Sequence, residues 1–211
     1  MKNLLTEAID LLDEAFNGDI AGRTVPQLPV RQGDPNAVKS ISIIADCSGS
    51  MIGEKIKEAK KAMITFLGRC PADMEIGLIT FGGEVKVPAG LSYEHKVLQE
   101  IIENLQISGS TPFLRGLKRS YKSHIMESKA DSFVILFTDG KPTENSESKI
   151  LNYGEKVKKE ARIITVGIGS QVNNTFLRKL ASTDQDYYFA EAPEDITDTF
   201  REVTGTLVKR A

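Results

Sequence analysis

The sequence predicts a doubly wound, three-layer α/β sandwich: a mostly parallel six-stranded sheet with one antiparallel edge strand and helices on both faces. Three observations predict it. Short, nearly unbroken apolar runs recur along the chain, as strands buried on both faces require. Stretches with apolar residues at helical spacing separate most of these runs, and strands joined through helices pair in parallel. One pair of strand-like runs is joined instead by Gly82-Gly83, which marks a hairpin.

Leu4, Leu5, Ala8, Ile9, Leu11, Leu12, Ala15 and Phe16 predict an apolar helix ended by Asn17-Gly18. Pro26, Pro29 and Pro35, with Gly18, Gly22 and Gly33, then predict an irregular connector. The chain therefore divides into a helix and connector over 1–38 and a domain over 39–211. The helix is expected to fold back on that domain, because so apolar a stripe is poorly left in water. Ile41–Ala45 reads as the first strand, and Ile52, Ile56, Ala59, Met63 and Phe66 as one helical face. Ile76–Phe81 is the second strand, and Val85-Lys86-Val87 the hairpin partner at a sheet edge, where Lys86 discourages pairing with another chain. Helices follow over 93–105 and 112–127, then the strand Phe133–Phe137, a helix over 147–160 and the strand Ile163–Val166. A short helix near 173–181 and the strand Tyr187–Phe189 precede a last helix, over 194–209, with Ile196, Phe200, Val203 and Leu207 on one face.

Composition narrows the function. The 211 residues suit one domain with some excess. Apolar residues make up 40% and charged residues 27%, the balance of an ordinary globular protein. A net charge of −2 and a pI near 5.8 lack the basic excess of a nucleic-acid binder. No apolar run approaches the roughly 20 residues of a membrane-spanning helix. Glu7, Asp10, Asp13 and Glu14 interrupt the first apolar stretch, which is unlike a secretory signal. The expectation is a cytoplasmic protein that binds neither nucleic acid nor membrane. Cys47 and Cys70 form no disulfide framework or zinc cluster.

In a doubly wound sheet, ligands gather at the carboxyl ends of the strands, so chemistry is sought in the strand-to-helix loops. The first reads Asp46-Cys47-Ser48-Gly49-Ser50-Met51 and places three oxygen-bearing side chains at alternate positions. Oxygen donors without nitrogen or sulfur suit a hard cation such as Mg²⁺. The loop alone serves equally well as a helix cap. In the second, Ser108-Gly109-Ser110-Thr111-Pro112, Pro112 fits a first helical position and Thr111 the cap before it. In the third, Thr138-Asp139-Gly140-Lys141-Pro142, an aspartate stands at a strand end, although Asp-Gly is also a routine turn.

Taken together, D-x-S-x-S, G-S-T-P and T-D-G resemble the von Willebrand factor A domain and its metal-ion-dependent adhesion site, over roughly residues 39–209. The matching positions are Asp46, Ser48, Ser50, Thr111 and Asp139. The resemblance implies one bound divalent ion, Mg²⁺ inside a cell, with Mn²⁺ and Ca²⁺ suited to the same oxygens. It implies direct coordination by the two serines, direct or water-mediated coordination by Thr111, and aspartates acting mainly through water. It also implies an open position filled by an Asp or Glu of a partner protein, and a switch in which the last helix moves. The implied function is a Mg²⁺-dependent protein-binding adaptor without catalysis. A short chain with little besides this domain resembles the bacterial stand-alone intracellular type, some of whose members are associated with stress and tellurite resistance. An accessory subunit of an AAA-type ATPase, of chelatase or MoxR-like kind, is the alternative.

A phosphotransfer enzyme fits less well. A haloacid-dehalogenase-type site needs an acid where Ser48 stands, and neither a phosphate-cradling G-x-x-x-x-G-K-[ST] loop nor a G-x-S-x-G elbow occurs. Cys47 reads as a small packed residue, because His95 and His124 both fall in helical stretches away from the loops. Lys55, Lys57, Lys60 and Lys61 read as a solvated helix face, and Glu54, Glu144 and Glu147 as surface residues or charges favouring helix starts.

Overall fold

The computed structural model describes residues 39–199 except 129, 130, 141, 144, 193, 194 and 197. The expected N-terminal helix and connector, and most of the last helix, lie outside the described residues. Six strands form one sheet: β1 (Lys39–Asp46), β2 (Glu75–Gly82), β3 (Glu84–Ser92), β4 (Asp131–Thr138), β5 (Ala161–Ile168) and β6 (Tyr187–Ala190). Their order is β3-β2-β1-β4-β5-β6. Every neighbouring pair is parallel except β2 with β3, so the predicted fold class holds.

Among the described residues five α-helices connect the strands: α1 (Glu54–Leu67), α2 (His95–Glu103), α3 (Phe113–Ser120), α4 (Glu147–Val157) and α5 (Asn174–Leu180). All eight residues of β1 are buried, as a central strand covered on both faces requires. Its side chains alternate between two cores. Ile41, Ile43 and Ala45 join α1 and α2 in one, through Ala59, Met63, Phe66, Leu98 and Ile102. Ile44 joins α3, α4 and α5 in the other, through Phe113, Leu117, Ile150, Phe176 and Leu180. Burying one such large side chain contributes about 1.5–3 kcal/mol. The pairs Lys57–Glu54 and Lys61–Glu58 on α1 lie at the surface, where water and salt screen them. The two cores therefore hold the fold, and the lysine-rich face of α1 contributes little. Among the described residues no helix is long and apolar enough to cross a membrane.

Three local expectations need correction. Ile52 does not share the buried face of α1: it is 73% exposed. Residues Gly49–Met51 form a 3₁₀ turn that buries Met51, and Gly53 at φ +86° breaks the phase before α1 begins. The edge strand runs from Glu84 to Ser92, well past Val87, and slips register twice against β2. Pro88 lies within it, and a proline without an N–H is tolerated in an edge strand with irregular pairing. The helix expected over 112–127 starts at Phe113 and passes after Ser120 into a π-helical segment, Tyr121–Ile125.

That π segment carries His124 into the interior, where it is fully buried. Ser120 donates to the Ser42 hydroxyl at 2.8 Å, and Ser42 pairs with His124 Nδ1 at 2.6 Å. His124 Nε2 reaches the Ala89 carbonyl at 3.1 Å. A carbonyl only accepts, so Nε2 carries the proton and Nδ1 accepts from Ser42. The ring is thus satisfied as a neutral group, and burial pushes its pKa down to about 4. In the unfolded chain a histidine titrates near 6.5. Its stabilising contribution is therefore complete above about pH 6.5 and is lost as pH falls toward 4, by up to about 3 kcal/mol. NMR of the imidazole should show His124 neutral from pH 7 to pH 5; a midpoint near 6.5 would contradict this packing.

Candidate metal centre

The sheet reverses direction at β1. From it the chain passes to β2 on one side and, later, to β4 on the other. The carboxyl ends of β1 and β4 therefore form a crevice, the place where open α/β sheets hold ligands. Asp46 ends β1, and Thr138-Asp139 ends β4. The parallel register aligns Ala45 with Phe137, so the two aspartate loops leave the sheet side by side.

Backbone hydrogen bonds hold the loops together. Cys47 N donates to Phe81 O at 2.7 Å, and Ser108 N to Cys47 O at 2.8 Å. Gly49 N donates to Gly109 O at 3.1 Å, and Gly83 N to Ser110 O at 3.1 Å. The loop carrying Asp46 and the loop carrying Thr111 are in this way fixed to each other and to the end of β2. Such contacts need the backbones close, which Gly82 and Gly109 allow. A Cβ on Gly82 would stand 2.4 Å from Cys47 O and 2.5 Å from Ser108 O. Gly109 adopts φ +64°, and a Cβ there would stand 2.4 Å from Gly83 Cα.

All five expected ligand residues converge on this spot. The Ser48 amide donates to Asp46 Oδ1 at 2.8 Å, and Thr138 Oγ1 donates to Asp46 Oδ2 at 2.6 Å. Ser48 Oγ and Ser50 Oγ lie 3.1 Å apart. Ser50 Oγ donates to Asp139 Oδ1 at 2.7 Å, and Lys55 Nζ donates to Asp139 Oδ2. The position of a Cβ on Gly140 lies 3.8 Å from both Ser50 Oγ and Thr111 Oγ1, so Thr111 faces the same space. Asp46, Ser48, Thr111 and Asp139 are buried, while Ser50 is exposed. The site is a buried floor of oxygens opening to solvent at one side.

Burial pushes the Asp46 carboxyl up to about 6; the hydrogen bonds from Ser48 and Thr138 oppose the rise, and the charge of Asp139 adds to it. Two carboxylates kept out of water in one crevice call for a cation. The nearby thiol is not a nucleophile: burial raises the Cys47 pKa to about 12. Among the described residues no group of three or more His, Cys, Asp and Glu gathers as a metal site. The donor set is a mixture of carboxylates and hydroxyls, which suits a hard divalent ion.

Sequence reasoning missed three supporting residues. Thr138 clamps Asp46 and also accepts the Gly140 amide at 3.1 Å. Thr143 Oγ1 accepts the Thr111 amide at 3.1 Å, fixing that loop. Lys55 is not part of a solvated face: its ammonium ion-pairs with Asp139. The T-D-G motif was a usable signal for Thr138, whereas nothing local marks Thr143 or Lys55. Glu54 pairs with Lys57, and Glu147 accepts from Asn173 at 2.6 Å, which fits their reading as surface residues. Glu144 lies outside the described residues. Thr111 precedes α3 as expected, but Pro112 takes the cap position and Phe113 the first helical one.

The chain is similar in sequence and in fold to known proteins. The inter-alpha-trypsin inhibitor heavy chain H4 of Sus scrofa is 25% identical over 189 residues, covering 81% of this chain and 20% of that protein. The chain thus spans about a fifth of the length of the curated relatives it matches. The vWF domain of the type V pili tip protein Mfa5 from Porphyromonas gingivalis shares the fold with a TM-score of 0.75 at 13% identity, over 82% of this chain and 96% of that one. Proximal thread matrix protein 1 of the mussel byssus, in a structure with a zinc-occupied MIDAS motif, gives a TM-score of 0.72 at 18% identity, over 82% of this chain and 46% of that one. The family model for the von Willebrand factor type A domain matches residues 40–202, from β1 to beyond β6. The chain belongs to the von Willebrand factor type A domain family.

Proposed function

We propose that the chain is a Mg²⁺-dependent protein-binding module of the cytoplasm, an adaptor whose metal centre is completed by an Asp or Glu of its partner. The carrying observation is the meeting of Asp46, Ser48, Ser50, Thr111 and Asp139 at the sheet crevice, buried below and open above through Ser50. The residues fit a divalent ion on two counts. Their donors are all oxygen, and an ammonium group already stands against Asp139. Ser48, Ser50 and Thr111 would hold the ion, with Asp46 and Asp139 orienting them and balancing its charge.

The bound ion supplies a positive charge that neutral hydroxyls leave largely uncompensated, and this attracts a carboxylate. The chain's part is to keep the hydroxyl oxygens pointed at one place. Zinc in the mussel protein's motif makes Zn²⁺, beside Mn²⁺ and Ca²⁺, a comparison ion for any binding measurement. Catalysis is not part of the proposal: the Cys47 thiol is buried, and His124 is a neutral core residue bonded to Ser42 and Ala89. The two free cysteines accord with a reducing compartment.

Affinity capture from native lysate tests this reading. A protein partner is expected to be recovered with Mg²⁺, lost in EDTA and regained on adding Mg²⁺ back. Recovery indifferent to EDTA would overturn it. Kinase- or phosphatase-like partners would place the adaptor in a bacterial stress or tellurite-resistance system. An AAA-type ATPase whose turnover the chain stimulates would instead favour the accessory-subunit role.

A further inference from the structure

Lys55 stands in the first turn of α1, yet its side chain turns back over the metal-binding loop. Its ammonium donates to Asp139 Oδ2 and, at 3.3 Å, to the Ser50 carbonyl. Asp139 Oδ1 is taken by Ser50 Oγ at 2.7 Å, so both carboxylate oxygens are engaged. The Asp139 side chain is 1% exposed, whereas that of Lys55 is 28% exposed. The anion is fixed and the cation has a route to water. The four-carbon stem of lysine is flexible and its ammonium strongly hydrated. A helix N-terminus also gives a cation no support. Among the described residues, what holds the ammonium in place is the carboxylate and carbonyl of the metal centre itself.

We propose that Lys55 is the resident cation of this centre in its metal-free state, and that a divalent ion binds by displacing the Lys55 ammonium from Asp139. The proposal rests on the reading of the site as a metal centre and adds how its occupancy is set. Metal binding is then an exchange of one cation for another. Lys55 supports the metal-free fold by covering the Asp139 charge, and for the same reason it lowers the affinity for the ion. While it is paired with Asp139, its stem already passes Gly169, whose Cβ position is 3.6 Å from Lys55 Cε. Released from Asp139, the ammonium would add a second positive charge to the face a partner carboxylate approaches. The other lysines of α1 face elsewhere: Lys57 pairs with Glu54, Lys61 with Glu58, and Lys60 donates to Glu103 O at 2.9 Å.

Calorimetric titration with Mg²⁺ alone tests the exchange in the wild type and in Lys55→Gln, Lys57→Gln and Asp46→Ala. Lys55→Gln should bind Mg²⁺ about fivefold tighter, in line with loss of a partly exposed ion pair. Its metal-free melting midpoint should fall, and the rise produced by Mg²⁺ should grow. Lys57→Gln removes the same charge from the same helix and should bind as the wild type does. Equal tightening in both lysine variants would reduce the effect to a general field and overturn the exchange. Equal affinity of wild type and Lys55→Gln, with binding lost in Asp46→Ala, would overturn the exchange and leave the metal centre standing. Absence of binding in every chain would overturn both.

Discussion

Replacing Asp46 by alanine is expected to weaken divalent-ion binding about a hundredfold and to abolish Mg²⁺-dependent partner capture, with the domain still folded. Asp46 is 1% exposed and carries two jobs. It accepts from the Ser48 amide, fixing the loop that points Ser48 and Ser50, and it accepts from Thr138 at the end of β4. Groups that orient metal ligands cost about 10–100-fold in affinity when removed, and here part of the site's negative charge is lost as well. Folding survives because two effects offset each other. The buried carboxylate is itself unfavourable, as its raised pKa of about 6 shows, and removing it relieves about 3 kcal/mol at neutral pH. The Ser48 amide and Thr138 hydroxyl lose their acceptor, at about 1–3 kcal/mol each. A melting midpoint within a few degrees of wild type, with calorimetric binding gone, is the expected pair of results. Retained binding would remove Asp46 from the centre.

A large stability effect outside the ligands is expected at Gly82. The added methyl of Gly82→Ala would lie 2.4 Å from Cys47 O and 2.5 Å from Ser108 O. Both are backbone atoms, so no side-chain rotation relieves the contact, and the two loops must move apart. Ser108 N donates to Cys47 O across the same gap, at 2.8 Å. Overpacking costs about 1–3 kcal/mol, and a clash with fixed backbone belongs at the upper end. In a domain of this size that is a fall of about 10 °C in midpoint. Because Ser48 and Thr111 ride on the displaced loops, metal affinity should fall too. Gly90→Ala is the control: nothing lies within 4 Å of its Cβ position, and it should change stability by less than about 0.5 kcal/mol. Equal midpoints for the two variants would show that the loops do not need their close approach.

The parts of this molecule readable from sequence are those whose cause is local or periodic. β1, β2, β4 and β5 are nearly continuous apolar runs because both faces are covered, and such runs are visible without a structure. The five ligand candidates were legible because each sits in a short loop at a strand end. The structure brings all five to one crevice. Ile52 misled because helical spacing is indifferent to a break in phase, and the break depends on the backbone at Gly53. The length of β3 was hidden because an edge strand is covered on one face, slips register against β2 and contains Pro88. Lys55 and His124 escaped for a shared reason. Each is defined by a partner far along the chain: Asp139 lies 84 residues from Lys55, and Ser42 lies 82 from His124. Within its own helix, Lys55 is one lysine among four.

The most direct test of the central claim is a crystal structure of the chain grown with Mn²⁺, using anomalous scattering to locate the ion. One peak is expected in the crevice, bonded to Ser48 Oγ and Ser50 Oγ, near Thr111, Asp46 and Asp139, with Lys55 swung away from Asp139. A crevice without a peak and with Lys55 still on Asp139, or an ion bound only at other residues, would contradict it.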